Sequence, residues 1–290
     1  MKGLMRAHFG AKPVTSHAGN RESDVKVGIA GFGTIGKPVA AALQRGIDGL
    51  ELAAICSRDQ DKARRNMEGL CDPVPVVGPQ ELADLCDVIV ECVPKAAFRD
   101  IAEPALKAGR IFITVSGAGL LIHPDVVDLA RDNGAQIILA TGALLGLDAV
   151  RAAAEGEIEQ VRMITRKPPF SLTGAPFLIE NNISIENLDA PLKVFEGTAR
   201  EGAAGFPANV NVAAALGLAG IGPDRTTLEI WADPALDRNT HRIEVEADSA
   251  RFSLSIENVP SDENPGTGKI TALSVVAALR ALTAPLKVGS

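Results

Sequence analysis

A glycine-rich run near the start of the chain is the first group of residues that could do chemistry. Three glycines spaced as G-x-G-x-x-G follow the predicted strand Val25–Ala30 and precede a predicted helix, the context in which this motif binds a dinucleotide. The first glycine allows a tight turn, the second lets the backbone approach a pyrophosphate, and the third permits close helix–strand packing. A glycine turn without a ligand is the alternative. The predicted phosphate-binding residues are Gly31, Phe32, Gly33, Thr34, Ile35 and Gly36.

The end of the second predicted strand, Leu50–Cys56, bears on which dinucleotide is bound. An Asp or Glu about 20 residues past the last glycine would hold the ribose 2′-hydroxyl of NAD. Ser57 and Arg58 stand there instead, and Asp59 and Asp61 come slightly later. Because a hydroxyl and a guanidinium can receive a 2′-phosphate, we expect NADP to be accepted, alone or together with NAD. A solvated surface role for Arg58 is the alternative.

Small residues follow the fourth and fifth predicted strands. The carboxyl ends of strands in such sheets line the ligand crevice. We therefore expect these segments to leave room for the nicotinamide ribose, although plain turn chemistry would explain them equally well. Covalent catalysis by Cys92 is disfavoured because no histidine lies near it in sequence. The segments are Cys92, Val93 and Pro94, and then Ser116, Gly117, Ala118 and Gly119.

Proton transfer must depend on His, Lys, Cys or a carboxylate, because the chain contains no tyrosine. This excludes the Tyr-x-x-x-Lys pair of short-chain reductases. In the predicted strand Thr240–Ala247, His241 shares one face with Ile243 and Val245. An imidazole titrates near neutral pH and could act there as a base. A buried structural histidine is the alternative.

Composition excludes several classes of partner and site. The net charge is −7 and no segment carries a dense Lys/Arg run, so nucleic acid and anionic membranes are not expected partners. The four cysteines form no C-x-x-C pair and have no histidine at metal-ligand spacing, which predicts reduced thiols of a cytoplasmic protein and no metal site. No apolar run reaches the ~20 residues of a membrane span. Residues 1–23 lack the apolar region of a secretory signal and are expected to be a flexible extension.

Two domains must position these residues. Apolar runs alternating with helical patterns predict a doubly wound parallel α/β sheet over residues 24–143, which forms the dinucleotide-binding domain. Residues 144–265 predict a second α+β domain with a mixed or antiparallel sheet, and a final helix over 267–284 is expected to pack back on the first domain. The predicted strands are Val25–Ala30, Leu50–Cys56, Val74–Val77, Asp87–Cys92, Ile111–Val115, Gln136–Ala140, Glu157–Arg166, Thr226–Trp231, Thr240–Ala247 and Ala250–Glu257. The stretch after residue 166 is predicted to be rich in loops up to a helix over Ala208–Ala219.

Several motifs, in order from about residue 25 to the end, resemble those of the L-aspartate dehydrogenase family, which pairs a Rossmann domain with an aspartate dehydrogenase domain. The chain departs from the family at Gly266-Thr267-Gly268-Lys269, where a Lys/Arg-Thr-Ser run is typical. The motifs are Gly31–Gly36, Thr141–Ala143, Gly146–Ala149, Thr165–Pro169, Phe195–Glu201, Phe206–Ala213, Ala232–Pro234, Asn239–His241, Glu257–Pro260 and Asn264–Pro265.

The resemblance implies oxidative deamination of L-aspartate with NAD or NADP, in support of NAD biosynthesis. It places the family's catalytic histidine on His241 and its dinucleotide-contacting alanine and asparagine on Ala143 and Asn211. A base must accept a proton from the substrate ammonium or from the water that attacks the imine, and an imidazole suits this. Cationic side chains must hold the two carboxylates. The substrate-binding candidates are Arg166, Lys167 and Asn239, whereas Arg242 alternates to the face opposite His241.

Two other interpretations stay open on the sequence. One is another two-domain dehydrogenase or reductase, such as a homoserine-dehydrogenase-like or dihydrodipicolinate-reductase-like enzyme acting on a different small amino or keto acid. The other is a dinucleotide-binding sensor without turnover, which would need neither His241 nor Asn211. A half-buried antiparallel sheet often pairs across a two-fold axis, so a homodimer is expected.

Overall fold

The first half of the chain folds into a six-stranded sheet covered by helices. The computed structural model describes residues 24–70, 72–206, 211–264 and 266–289. The predicted extension 1–23 and the first three residues of the predicted helix Ala208–Ala219 lie outside this part. The strands are β1 Val25–Ala30, β2 Leu50–Cys56, β3 Val76–Val77, β4 Val88–Glu91, β5 Ile111–Thr114 and β6 Gln136–Leu139. The helices are α1 Gly36–Gln44, α2 Gln60–Asn66, α3 Pro79–Leu85, α4 Phe98–Lys107, α5 Gly117–Ile122 and α6 Asp125–Asp132.

All strand pairs described in this sheet are parallel, in the order β3-β2-β1-β4-β5-β6. Apolar clusters lie on both sheet faces, which explains why the strands are continuous apolar runs. The strand order reverses between β1 and β4, and the carboxyl ends of the strands open a crevice at that point. The predicted doubly wound sheet is confirmed.

The second half forms a five-stranded mixed sheet in the order β11-β10-β7-β9-β8. Among its described strand pairs, β7 and β9 run parallel and the others antiparallel. One face packs against helices around a core that includes Met163, Phe206 and Leu216. The strands are β7 Ile158–Lys167, β8 Leu192–Thr198, β9 Thr226–Ala232, β10 Thr240–Ala247 and β11 Arg251–Glu257. The helices are α7 Leu147–Ala154, α8 Pro176–Glu180, α9 Ala199–Gly205, α10 Asn211–Ala219 and α11 Ile270–Thr283.

The last helix returns to the first sheet. Val275 and Leu279 of α11 are fully buried in the cluster that contains Val27 of β1. The chain therefore crosses between the two sheets twice, before α7 and again before α11, and both crossings border the same cleft. Within the described ranges, no helix is long and apolar enough to span a bilayer.

The prediction that the stretch after residue 166 is rich in loops was wrong in part. This stretch contains β8, α8 and α9, and the capping box of α9 is complete: the hydroxyl of Thr198 accepts from the backbone N–H of Glu201, whose carboxylate accepts from the backbone N–H of Thr198. Two further helices, α5 and α7, also lie where the sequence pattern predicts none.

Candidate active site

The glycine-rich turn has a backbone that only glycine can form at two positions. Gly31 has φ +94°, and a Cβ there would lie 2.5 Å from the carbonyl oxygen of Cys92. A Cβ on Gly36 would lie 2.0 Å from the carbonyl oxygen of Gly31. Gly33 is exposed and has no neighbouring heavy atom within 4 Å of its would-be Cβ, so its backbone is open to a ligand. Phe32, Thr34 and Ile35 line a cavity of ≈ 620 Å³ beside the turn.

The end of β2 leaves Arg58 available to a ligand. Arg58 is exposed and Ser57 is half-buried. The carboxylate of Asp59 accepts from the backbone N–H of Lys62 at 2.9 Å and caps α2. One carboxylate oxygen of Asp59 is therefore engaged in capping α2. The role of Ser57 and Arg58 toward a 2′-phosphate stays a prediction.

A buried carboxyl joins the ends of β4 and β5. Glu91 accepts hydrogen bonds from the hydroxyls of Thr114 and Ser116 and, at 2.9 Å, from the backbone N–H of Val93. It is fully buried, and burial raises its pKa to about 7. Glu91 therefore fixes both loops that flank the crevice.

Cys92 lies in this loop as a structural thiol. Its Sγ donates to the carbonyl oxygen of Gly31 at 3.1 Å, and burial raises the pKa of the thiol far above its usual range. Such a group is a poor nucleophile at neutral pH. Val93 is half-buried beside it, and Pro94 is exposed.

Gly117 and Ala118 lie in the first turn of α5 and not in an open strand-end turn. Both are buried, and a Cβ on Gly117 would lie 2.8 Å from the carbonyl oxygen of Asn211. The backbone N–H of Ala118 donates to Oδ1 of Asn211 at 3.1 Å. The small residues here allow contact with α10. This explanation differs from the expected role of leaving room for a ribose.

A cleft between the two sheets brings together six of the predicted site residues. It has a volume of ≈ 130 Å³. Among its described lining residues there is no Asp or Glu, so the ionisable side chains facing it are one lysine and one imidazole. The predicted residues in its lining are Ile35, Ala143, Lys167, Asn211, Asn239 and His241, and Asn258 and Thr267 also contribute.

His241 faces this cleft as a neutral imidazole. It is 3% exposed, and its Nδ1 lies 3.2 Å from Oγ1 of Thr165 on the paired strand β7. Burial, with a smaller effect of the positive charge of Lys167, lowers its pKa to about 3. The ring is therefore unprotonated at neutral pH, and Nε2 is the nitrogen left for the cleft.

Lys167 lies on the same face of β7 as Thr165, and burial lowers its pKa to about 8. Arg166 points to the other face of the sheet. There it pairs with Asp233 at 3.4 Å and lies 4.7 Å from the centre of the Trp231 ring. The expected partnership of Arg166 with Lys167 in holding a substrate does not fit this placement, because the sheet itself separates Arg166 from the cleft.

Arg242 also lies opposite His241, as expected, and pairs with Glu244 at 2.9 Å. No group of three or more His, Cys, Asp and Glu side chains in the described ranges could hold a metal ion. Sequence reasoning missed the roles of Thr165, Glu91 and Asn258. The sequence contains one signal for the role of Glu91, because this carboxylate stands at the end of the apolar run Val88–Val90.

Comparisons with known proteins agree with this two-part arrangement. Residues 148–282 match the family model described as aspartate dehydrogenase, C-terminal, and residues 31–140 match homoserine dehydrogenase, NAD binding domain. The chain is 58% identical to an L-aspartate dehydrogenase of Bradyrhizobium diazoefficiens, with 92% of this chain and 95% of the relative covered. It is 38% identical to an L-aspartate dehydrogenase of Methanosarcina mazei, with 92% and 100% covered.

Solved structures show the same fold. The chain resembles aspartate dehydrogenase from Thermotoga maritima with a TM-score of 0.70 at 24% identity, covering 91% of this chain and 99% of the other. It resembles a hyperthermophilic archaeal homoserine dehydrogenase in complex with NADPH with a TM-score of 0.57 at 15% identity, covering 90% and 98%. At these identities the likeness concerns the fold alone.

Proposed function

Because the chain belongs to the L-aspartate dehydrogenase family, we propose that it oxidises L-aspartate with NAD or NADP to iminoaspartate, which water converts to oxaloacetate and ammonia. The observation that carries the proposal is the cleft in which a neutral imidazole and a buried lysine face the same space, beside the glycine-rich turn. The cleft offers one positive charge for a substrate carboxylate and an imidazole that could serve as the base for its oxidation.

The residues at the crevice fit a dinucleotide. Gly33 leaves its backbone open in the turn that leads into α1, so a phosphate would lie near the N-terminus of that helix. Phe32, Thr34 and Ile35 complete the turn, with Ser57 and Arg58 at the adenosine end and Cys92, Val93 and Pro94 along the crevice. When bound, the nicotinamide supplies the hydride acceptor for the substrate Cα. Ala143 and Asn211 meet in the same cleft and are the proposed contacts at that end.

His241 is the proposed catalytic base. Its Nε2 takes a proton from the substrate nitrogen, or from the water that attacks the imine carbon. A base with a pKa near 3 is weak while the cleft is empty, and burial is the larger cause of that low pKa. Two substrate carboxylates would offset the smaller effect of the Lys167 charge and so raise the pKa of the imidazole in part. Substrate binding therefore strengthens the base that acts on it.

Lys167 and Asn239 are the proposed substrate-binding residues. Lys167 supplies the positive charge for a carboxylate inside the cleft, and Asn239, which is 8% exposed, adds an amide beside it. Arg166 is left out of this proposal because it faces away from the cleft.

Three wider expectations belong to the same proposal. We propose a homodimer on the basis of the half-buried second sheet, which sedimentation would test. A cytoplasmic location is supported by Cys56, Cys86 and Cys92, which are free thiols. A role in NAD biosynthesis rests on the family resemblance. The expected partner is a dicarboxylate amino acid, and neither nucleic acid nor membrane.

An amino-acid panel tests the function. Purified protein is incubated with NAD or NADP and each amino acid in turn, and reduced nicotinamide is followed by absorbance. Turnover that is highest on L-aspartate is the expected result. Turnover on a different amino acid only, or cofactor binding without turnover on the whole panel, would overturn the proposal and would indicate another dehydrogenase or a sensor.

A further inference from the structure

Asn258 lies just after β11 and has one side-chain bond that fixes its orientation. Its Nδ2 donates to the carbonyl oxygen of Ala143 at 3.1 Å, and its backbone N–H donates to the carbonyl oxygen of Asn239 at 2.9 Å. Because Nδ2 makes the bond to Ala143, the assignment of the two side-chain amide atoms is fixed, and Oδ1 is the atom that does not face the Ala143 carbonyl oxygen. This residue thus connects the segment before α7 to the start of the catalytic strand β10.

Oδ1 of Asn258 has no hydrogen-bond partner among the described residues, and the side chain is 4% exposed. Oδ1 of Asn239 also has no hydrogen-bond partner among the described residues, and Asn239 is 8% exposed. Both residues line the cleft with Lys167 and His241. A buried acceptor without a donor costs free energy, so two of them in one cleft indicate a ligand that donates hydrogen bonds.

We propose that Asn258 is a specificity-determining residue whose Oδ1, together with that of Asn239, binds the amino group of the substrate. This inference rests on the proposed function. It assigns binding partners to the substrate amino group, which Lys167, as a cation, cannot hold. An amino group carries enough N–H donors to satisfy both amide oxygens, whereas carboxylates carry none when ionised.

The neutrality of the two acceptors matters for the reaction. The nitrogen must lose protons before its Cα can give up a hydride and form an imine. A carboxylate beside it would hold the ammonium form, but the described lining of the cleft contains no Asp or Glu. Two amide oxygens bind the amino group without adding a negative charge, so His241 can remove its proton.

Two variants separate this role from a structural one. Asn258→Leu and Asn258→Asp both lack the bond to the Ala143 carbonyl, but only the aspartate variant keeps an acceptor oxygen at this position, so the pair differs in the feature under test. Binding of L-aspartate and of succinate, which has both carboxylates and no amino group, is measured by calorimetry on the protein saturated with reduced cofactor, so that no turnover occurs.

Asn258→Leu is expected to weaken L-aspartate binding by roughly 10- to 100-fold and succinate binding by less than about 3-fold. Asn258→Asp is expected to recover most of the preference for L-aspartate over succinate. Equal weakening of both ligands in Asn258→Leu would overturn the proposal. A loss of affinity for the cofactor alone would also overturn the proposal, because the hydrogen-bond donor to Oδ1 of Asn258 would then be the nicotinamide carboxamide. Should Asn258→Leu fail to fold, an Asn258→Asp variant that binds L-aspartate no better than succinate also overturns it.

The wild-type protein keeps the two proposals apart. If wild type neither oxidises nor binds L-aspartate, the proposed function fails. If wild type oxidises L-aspartate while the variants show no selective effect on it, only the role of Asn258 fails.

Discussion

Oγ1 of Thr165 lies 3.2 Å from Nδ1 of His241, across the pair of antiparallel strands β7 and β10. Both side chains are buried, and the two residues are direct partners in the strand register. The contact distinguishes the two ring nitrogens, because it occupies Nδ1 and leaves Nε2 for the cleft. Thr165 is therefore a positioning residue for the base.

Thr165→Val is expected to lower kcat by about 10-fold, because valine keeps the shape and the strand propensity but removes the hydroxyl that orients the ring. Steady-state kinetics across pH measures this, with the KM for cofactor expected to stay within about 2-fold. Thr226→Val is the matched control, since Thr226 is equally buried on β9 and donates to the carbonyl oxygen of Gly222. A wild-type kcat and pH profile in Thr165→Val would contradict the positioning role.

Lys167 predicts a pH-dependent affinity for dicarboxylates. Burial lowers its pKa to about 8, so the ammonium is present below that pH and is lost above it. The inhibition constant of succinate, whose carboxylates stay ionised throughout, should rise up to tenfold per pH unit above about pH 8.

Lys167→Met should weaken the binding of succinate and remove the rise of its inhibition constant above about pH 8. Arg166→Met, on the opposite face of the same strand, is the control and should leave the inhibition constant within about 2-fold. A succinate profile in Lys167→Met identical to that of wild type would mean that Lys167 does not hold the carboxylate.

Arg58 predicts cofactor preference. Arg58→Ala is expected to raise the KM for NADP by about 10-fold and to leave the KM for NAD within about 2-fold, because only NADP carries the 2′-phosphate. Arg64→Ala is the control, since Arg64 lies on the neighbouring helix α2 and pairs with Asp61. An unchanged KM for NADP in Arg58→Ala would assign Arg58 to the solvated surface.

Glu91 predicts how stability changes with pH. Burial raises its pKa from 4.5 to about 7, so the folded protein holds this proton more tightly than the unfolded chain does. The stabilising contribution is therefore complete below about pH 4.5 and is lost as the pH rises through about 7. In urea unfolding from pH 5 to 8, wild type should lose unfolding free energy relative to Glu91→Gln. Parallel curves for the two proteins would show that Glu91 does not titrate in this range.

Much of the fold follows from the sequence, because buried parallel strands are continuous apolar runs. The bounds of β1 and β2 agree with the prediction to the residue. In β8 the alternation is broken, since Val194 and Phe195 are both buried where the register with β9 shifts, and the pattern predicts no strand there. Helix α5 was missed because its glycines disfavour helices, and contact with α10 outweighs that propensity.

The site was less predictable, because it depends on which segments meet. Alternation along β7 places Lys167 on the face of Met163 and Thr165, and the same rule could have excluded Arg166. The orphan oxygen of Asn258 could not be inferred, since it depends on a bond to Ala143, 115 residues away in sequence.

The measurement that tests the central claim most directly is the turnover of His241→Ala on L-aspartate, together with its dinucleotide affinity. Loss of the base should lower kcat by roughly 10²- to 10⁴-fold, while the dissociation constant for NAD or NADP, measured by fluorescence titration, stays within about 2-fold. Near-normal turnover in His241→Ala, with cofactor still bound, would contradict the assignment of His241 as the catalytic base.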